Sequence, residues 1–439
     1  MKANIIPKFK LKESESRHNL LDKLARAAVF KKLSKLTTGK LILIDQEGRF
    51  EFGGEKPQAP TITLRIQHMA FYSDIAFAGS LGAGESYMRG EWSCDDLTGL
   101  VKLLLRNRHV LDSMDGGIGR LATPIHKLIH WFNKNTRTGS RRNIEAHYDL
   151  GNDLFELFLD KTMMYSCGVF ADHSSNMYDA SVLKLDIICQ KLQLSEQDRV
   201  IEIGTGWGQF AIHAAKHYGC HVTTTTISEQ QYQFAKARIQ EEGLNHKVTL
   251  LKKDYRDLQG HFDKLVSIEM IEAIGHQFME TYFKKCSSLL KPDGMMLIQA
   301  ISIADHRYKA ALRSIDFIQR YIFPGSFIPS ISAMMDAVAR KTDMKMYHLD
   351  DIGPHYATTL RKWREQFFAN IEQVKGLGYS QQFIRMWEFY LCYCEGGFEE
   401  RALGNAHLLF VKPMNRRSPL VHPGFPLPLA DQTEGMATT

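Results

Sequence analysis

RVIEIGTGWGQFAIHAAKHYGCHVTTTTIS, residues 199–228, is the stretch whose reading decides the fold. Arg199 to Gly204 carry a short apolar run of strand length, and Thr205 to Gln209 make a glycine turn. FAIHAAKHYG (210–219) reads as a helix closed by a glycine, and HVTTTTIS (221–228) as a second strand. Strand, turn, helix and strand in that order form one unit of an α/β sheet. Glycines at 204, 206 and 208 let the backbone approach a ligand closely, and the helix that follows offers unpaired N–H groups at its start. The spacing is G-x-G-x-G, not the dinucleotide pattern G-x-G-x-x-G, and Glu202 stands two residues before the first glycine. Such a turn also serves tight packing alone, so the loop needs support from the rest of the chain.

That support comes from both sides. Downstream, KLVSIEM (264–270) and MMLIQAISI (295–303) read as further strands. VTLLKK leads into the cluster Asp254-Tyr255-Arg256-Asp257, where a third strand would end. Upstream, KLILID, RFEFGG and TITLRIQH read as short strands, SLGAGESYMRGEW (80–92) as a turn-rich stretch, and residues 95–114 as a helix capped by Asp95 or Asp96. NKNTRTGSRRN (133–143) holds no apolar residue and reads as a linker. The reading therefore divides the chain into a basic N-terminal domain (1–140), a catalytic domain (141–412) and a disordered tail (413–439).

The chain has 439 residues, 44% hydrophobic and 24% charged, which excludes a mainly disordered or fibrous protein. No apolar run approaches the ~20 residues of a spanning helix, and the N-terminus has no apolar core of signal-peptide length. Seven cysteines without a C-x-x-C pair fit reduced thiols in a cytosolic compartment, not a disulfide frame or a zinc site. The net charge of +6 is unevenly placed, because residues 1–40 alone hold 11 basic and 3 acidic side chains. Such an arm is drawn to an anionic surface, either membrane headgroups or nucleic acid. Residues 19–36 read as a basic helix with a blurred apolar stripe; a solvated helix without a partner is the alternative.

Glu202 with the three glycines, E-x-G-x-G-x-G, resembles the first motif of class I S-adenosylmethionine-dependent methyltransferases. The second strand, however, ends without an acid to hold ribose hydroxyls. Longer motifs account for that gap. EAHYDLGNDLFELFLDKTMMYSCGVF (145–170), TISEQQ (226–231), KDYRDL (253–258), YIFPGSFIPS (321–330), HYATTLRKW (355–363) and FYLCYCEGGF (389–398) resemble cyclopropane-fatty-acyl-phospholipid synthases and mycolic acid cyclopropane synthases. The resemblance covers roughly residues 80 to 412, and HYDLGND with YSCG is its most specific part. It implies a Rossmann-like α/β catalytic domain behind a smaller α+β lipid-binding domain.

The resemblance also implies the chemistry: a sulfonium methyl passes to a cis double bond of a phospholipid acyl chain, and loss of a proton from the new methyl closes a cyclopropane ring. An alkene is a weak nucleophile and must be held in line, and the cation demands a dry pocket with aromatic faces. Carried over by position, Tyr165 and Ser166 contact the methionine part of S-adenosylmethionine. Glu202 and Gly204, Gly206 and Gly208 cradle it, Thr226 and Gln231 take the ribose end, and Tyr255 and Arg256 flank the adenine. The family's bicarbonate base maps onto Cys167, Glu272, Gln299, Ile301 and Tyr356, with Gln299 standing where the family carries histidine and Ala273 following Glu272 in place of its usual histidine. Glutamine can donate to an anion but cannot carry a proton. Glu272 could itself act as the base if burial raised its pKa. Cys394 falls on a cysteine counted as an active-site residue in the family; on physical grounds a buried structural thiol is the plainer reading. The implied partners are unsaturated phospholipids at the inner face of a membrane that the cytoplasmic enzyme meets peripherally, with no nucleic acid; a homodimer stays open. Rival readings are a methylene- or methyl-branched product from the same cation, and a catalytically dead lipid carrier.

Overall fold

The computed structural model describes residues 20–54, 60–115 and 150–418. The linker at 133–143 and residues 419–439 of the expected tail lie outside them. The N-terminal runs form a four-stranded sheet of β1 (Lys40–Asp45), β2 (Gly48–Gly53), β3 (Thr61–Ile66) and β4 (Trp92–Cys94), in the order β2-β1-β3-β4. Its alternating pattern is visible in β3, where Ile62, Leu64 and Ile66 are buried between more open neighbours. Asp96 caps the helix Leu97–Arg106 by accepting from the Gly99 N–H, as the sequence indicates.

One reading needs correction. SLGAGESYMRGEW is not a turn-rich stretch; it lies mostly within the helix Ala70–Met88, which kinks at Gly79 (φ 57). Its other glycines serve close packing. A Cβ on Gly82 would stand 2.2 Å from the Asp74 carbonyl oxygen, and one on Gly84 would stand 2.4 Å from the Phe317 ring. The basic stretch is also more than a solvated arm. The helix Leu20–Leu33 buries Asp22, Ala25, Val29 and Leu33, and Arg26 pairs with the buried Asp45 at 2.7 Å.

The larger sheet has seven strands: β5 (Arg199–Ile203), β6 (His221–Thr225), β7 (Val248–Leu251), β8 (Phe262–Ile268), β9 (Leu290–Ile303), β10 (Lys345–Asp351) and β11 (Leu403–Val411). Their order is β10-β11-β9-β8-β5-β6-β7. The five central and right-hand strands run parallel, while β11 pairs antiparallel with both β9 and β10. Valine and isoleucine fill β5, where Val200, Ile201 and Ile203 are all buried because helices cover both faces. The order reverses between β5 and β8, and in open α/β sheets ligands bind beyond the strand ends at that switch point. The glycine turn follows β5 and Glu269 follows β8, so both border it.

The long helix Gln381–Glu399 joins the two sheets' surroundings into one aromatic core. Tyr87 Oη donates to Glu388 at 2.7 Å, Arg385 donates to the Trp92 carbonyl at 2.7 Å, and Thr98 Oγ1 donates to Glu395 at 3.2 Å.

Candidate active site

The glycine turn holds each glycine in the left-handed region, with φ of 101 at Gly204, 53 at Gly206 and 91 at Gly208. They do different work. A Cβ on Gly204 would meet Met270 at 3.1 Å and one on Gly208 would meet Ala235 at 3.1 Å, whereas at Gly206 nothing lies within 4 Å. Gly206 therefore keeps open the space in front of the helix Gln209–His217. Asn152 pins this turn: Trp207 is buried and its ring N–H donates to Asn152 Oδ1 at 2.9 Å. Arg238 ties the turn from another side, donating to the Trp207 carbonyl at 3.5 Å and to Gln209 Oε1 at 2.6 Å.

Glu202 lies beneath the turn, fully buried, and accepts from Thr224 Oγ1 at 2.6 Å. Burial raises its pKa to about 8. Thr226 Oγ1 donates to Gln231 at 2.9 Å, so the two residues expected at the ribose end fix one another at the tip of β6. Tyr255 lies edge-on to Tyr282, and its buried hydroxyl has no hydrogen-bond partner. Arg256 grips Asp254 through two nitrogens, at 2.8 and 2.6 Å, which fixes the turn that presents Tyr255. An open glycine cradle and an orphaned hydroxyl beyond the strand ends fit S-adenosylmethionine.

Tyr165 and Ser166 stand on the opposite wall. Tyr165 exchanges a hydroxyl hydrogen bond with Tyr390 at 2.9 Å and packs against Phe155 and Trp363, with ring centroids 5.2 and 5.1 Å away. Ser166 accepts from Lys184 Nζ at 2.6 Å. Lys184 was not anticipated, because in SVLKLDIIC it sits in an apolar helical stripe that reads as core. It is fully buried, and burial lowers its pKa to about 8.

The centre of the acid–base cluster is another residue the sequence reading passed over. Glu269 follows β8 at φ 47, a left-handed backbone that a non-glycine residue seldom adopts. Its Oε1 accepts from the Cys167 N–H at 3.0 Å, Gln299 Nε2 at 2.7 Å and Asn405 Nδ2 at 2.6 Å. Its Oε2 accepts from Tyr356 Oη at 2.7 Å. Gln299 is oriented from behind, since its Oε1 meets His407 Nε2 at 3.1 Å and His407 Nδ1 meets Lys191 Nζ at 3.0 Å. Burial, with the Lys191 charge next, holds His407 well below the usual histidine range, so the ring is neutral; it donates to Gln299 and accepts from Lys191.

Glu272 lies beside this cluster. Its Oε1 accepts from the Ile301 N–H at 2.6 Å, and its buried Oε2 has no partner. Burial, followed by the neighbouring Glu269 charge, raises its pKa to about 8. Burial, then the Glu269 charge, also pushes the Tyr356 hydroxyl and the Cys167 thiol far above their ordinary ranges, so Cys167 contributes its backbone N–H rather than a thiolate.

The positions mapped for bicarbonate are thus brought together, but their donors are already engaged. Cys167, Gln299 and Tyr356 serve Glu269, and Ile301 serves Glu272. A second anion at this point would meet Glu269 in place of free donors, so the site does not fit the bicarbonate ion. Cys394 lies on the helix Gln381–Glu399, where burial and then Asp316 raise its thiol pKa; it holds no thiolate for nucleophilic attack.

A family model described as mycolic acid cyclopropane synthetase matches residues 135–408. Tuberculostearic acid methyltransferase UfaA1 of Mycobacterium tuberculosis is 37% identical over 364 residues, 79% of this chain and 82% of that protein. Cyclopropane-fatty-acyl-phospholipid synthase of Escherichia coli is 36% identical over 345 residues, 77% of this chain and 85% of that protein. Among solved structures, mycolic acid cyclopropane synthase CmaA1 complexed with SAH and CTAB superposes with a TM-score of 0.57 at 26% identity, over 62% of this chain and 98% of that one. The cyclopropane synthase MmaA2 from Mycobacterium tuberculosis gives the same TM-score, 0.57, at 25% identity, again over 62% of this chain and 98% of that one. A glycine cradle beyond β5, a buried carboxylate pair beyond β8 and these matches together place the chain in the mycolic acid cyclopropane synthetase family, S-adenosylmethionine-dependent methyltransferases of the class I fold.

Proposed function

We propose that this enzyme transfers a methylene unit from S-adenosylmethionine to the cis double bond of an unsaturated phospholipid acyl chain, forming a cyclopropane ring. The observation that carries this reading is a carboxylate cluster enclosed by aromatic rings beside the glycine cradle. Tyr356 stacks on Phe398 with centroids 4.5 Å apart, and Trp363 lies between the Tyr165 and Tyr356 rings, 5.1 and 6.2 Å from them. When bound, S-adenosylmethionine supplies an electrophilic methyl on a cationic sulfur. The aromatic walls exclude water and stabilise positive charge without bonding to it covalently. A carboxylate next to them attracts the cation and can take its proton.

A second reading is favoured by Gln299 and Ala273, which depart from the family's histidines, and by the relative named as a tuberculostearic acid methyltransferase. In it the same cation loses a proton elsewhere and yields a methylene branch, or a methyl branch after reduction. Mass spectrometry of the acyl chains distinguishes the two. Ring and methylene products both gain one CH₂ unit, but only the methylene product remains an alkene. A product with no remaining double bond and no added hydrogen supports the ring; a retained alkene refutes it.

The lipid partner is part of the same proposal. Among the described residues no helix is long and apolar enough to cross a membrane. The helix Leu20–Leu33 turns Leu20, Leu21 and Leu24 outward, 72%, 53% and 62% exposed, beside the exposed Lys23, Lys31 and nearby Lys35. Apolar and basic groups on one exposed face suit an anionic bilayer. Because the other face of the helix is core, deleting it would destabilise the protein. Replacing Lys23, Lys31 and Lys35 with glutamate should instead weaken binding to anionic vesicles by about tenfold or more at low salt and little at high salt, with melting unchanged. Equal sedimentation with vesicles at low salt would remove the helix from the membrane contact.

A further inference from the structure

We propose that Glu269 replaces the bicarbonate ion of the family's mechanism, its own carboxylate being the base that removes the proton from the transferred methyl group. The inference rests on the lipid-alkylation reading above and adds the identity of the base.

The geometry is that of a bound anion whose carrier is the chain itself. Four donors from four separate places converge on one carboxylate: a backbone N–H at Cys167, an amide on β9, an amide on β11 and a hydroxyl on the helix Gly353–Ala369. A carboxylate offers about four lone-pair positions and only accepts, so this set suits the ionised form. The backbone at Glu269 is held at φ 47, a left-handed conformation that persists in a non-glycine residue only where the surroundings impose it. From there the side chain reaches Gln299 on β9 and Asn405 on β11.

Gln299 fits the same arrangement. A fixed carboxylate in front and the neutral His407 behind require a residue that donates from one end and accepts at the other. A primary amide does both without any protonation change. The departure at position 299 and the glutamate at 269 are then two parts of one device. Glu272, with its pKa raised to about 8 by burial and then by the neighbouring Glu269, is mostly protonated at neutral pH.

The step balances without another reactant. The C–H bond of the transferred methyl breaks, its electron pair forms the third ring bond to the cationic carbon, and the proton passes to the Glu269 carboxylate. A carbocation is so strong an acid that a carboxylate held by four donors is still basic enough.

The test uses the full chain, labelled S-adenosylmethionine, unsaturated phospholipid vesicles and bicarbonate. The wild-type rate should stay within about twofold when bicarbonate is stripped and restored. Glu269→Gly keeps the donors, removes the carboxylate and suits the left-handed backbone. It should lose about 100-fold or more in turnover, keep cofactor affinity within about threefold, and recover at least tenfold with added bicarbonate. Glu269→Gln, which fills the site without basicity, should lose as much and not recover. Carbon-13 bicarbonate observed by NMR should bind the glycine variant and not the wild type. A wild-type rate that falls on depletion, a glycine variant with wild-type turnover, or a folded glycine variant that neither binds nor responds to bicarbonate would overturn the proposal. If wild type transfers no label to lipid, the functional reading fails, and the NMR comparison still decides whether Glu269 occupies the anion site.

Discussion

Gly206→Val should bind S-adenosylmethionine at least about 100-fold more weakly than wild type, a loss of roughly 2.7 kcal/mol, while remaining folded. A Cβ at this position meets no protein atom within 4 Å, so the valine has room in the protein. What it fills is the space between the turn and the start of the following helix, where the backbone otherwise approaches the ligand. The backbone φ of 53 adds a second cost of about 1–3 kcal/mol to stability, since a β-branched residue is poorly suited to the left-handed region. Gly206→Asn separates the two effects, because asparagine tolerates that conformation. It should restore most of the lost melting temperature and little of the lost affinity. Calorimetric affinity within threefold of wild type in a folded valine variant would remove this loop from the cofactor site.

Glu272→Gln should flatten the pH dependence of stability. In the fold, burial and the adjacent Glu269 charge raise Glu272 from its ordinary 4.5 to about 8. The native state therefore keeps a proton that the unfolded chain releases at lower pH. The contribution is fully present below about pH 4.5, is lost as pH rises toward about 8, and is constant above. Glutamine carries no such proton. Urea unfolding should show wild type losing on the order of a few kcal/mol more than the variant between pH 5 and pH 9. Glu202, whose pKa burial also raises to about 8, contributes in the same direction to both proteins and cancels in the comparison. Turnover near neutral pH should fall less than about tenfold, because the amide imitates the protonated acid and can still accept from the Ile301 N–H. Parallel stability curves, or a turnover loss as deep as that of Glu269→Gln, would show that Glu272 carries the charge.

The unit from β5 to β6 was legible because three signals coincide: an apolar strand, glycines where the chain turns, and a helix that starts at once. Gly204, Gly206 and Gly208 read alike in the sequence, but only the surroundings distinguish two packing glycines from the one facing open space. The stretch at 80–92 misled because glycine has two uses, and here close packing prevails over turning. Glu269 was invisible for a related reason. In KLVSIEM a single acid at a strand end reads as a solvated terminus, and nothing local shows that Cys167, Gln299, Tyr356 and Asn405 converge on it from 30 to 136 positions away. Lys184 and the His407–Lys191 pair behind Gln299 are hidden in the same way, being polar groups inside apolar runs that find partners only when the sheet assembles. Motif resemblance supplied the positions of the site; tertiary contacts supplied the connections among them.

Transfer of a labelled methyl carbon from S-adenosylmethionine into vesicle phospholipid is the most direct measurement of the account. Purified full-length protein, vesicles of cis-unsaturated phospholipid and matched vesicles of saturated phospholipid should be incubated with the labelled cofactor and the acyl chains analysed by mass spectrometry. The account requires label in the cis-unsaturated chains, one added CH₂ unit per labelled chain, and none in the saturated ones. Cofactor binding without label in any lipid, or equal labelling of saturated chains, would contradict it.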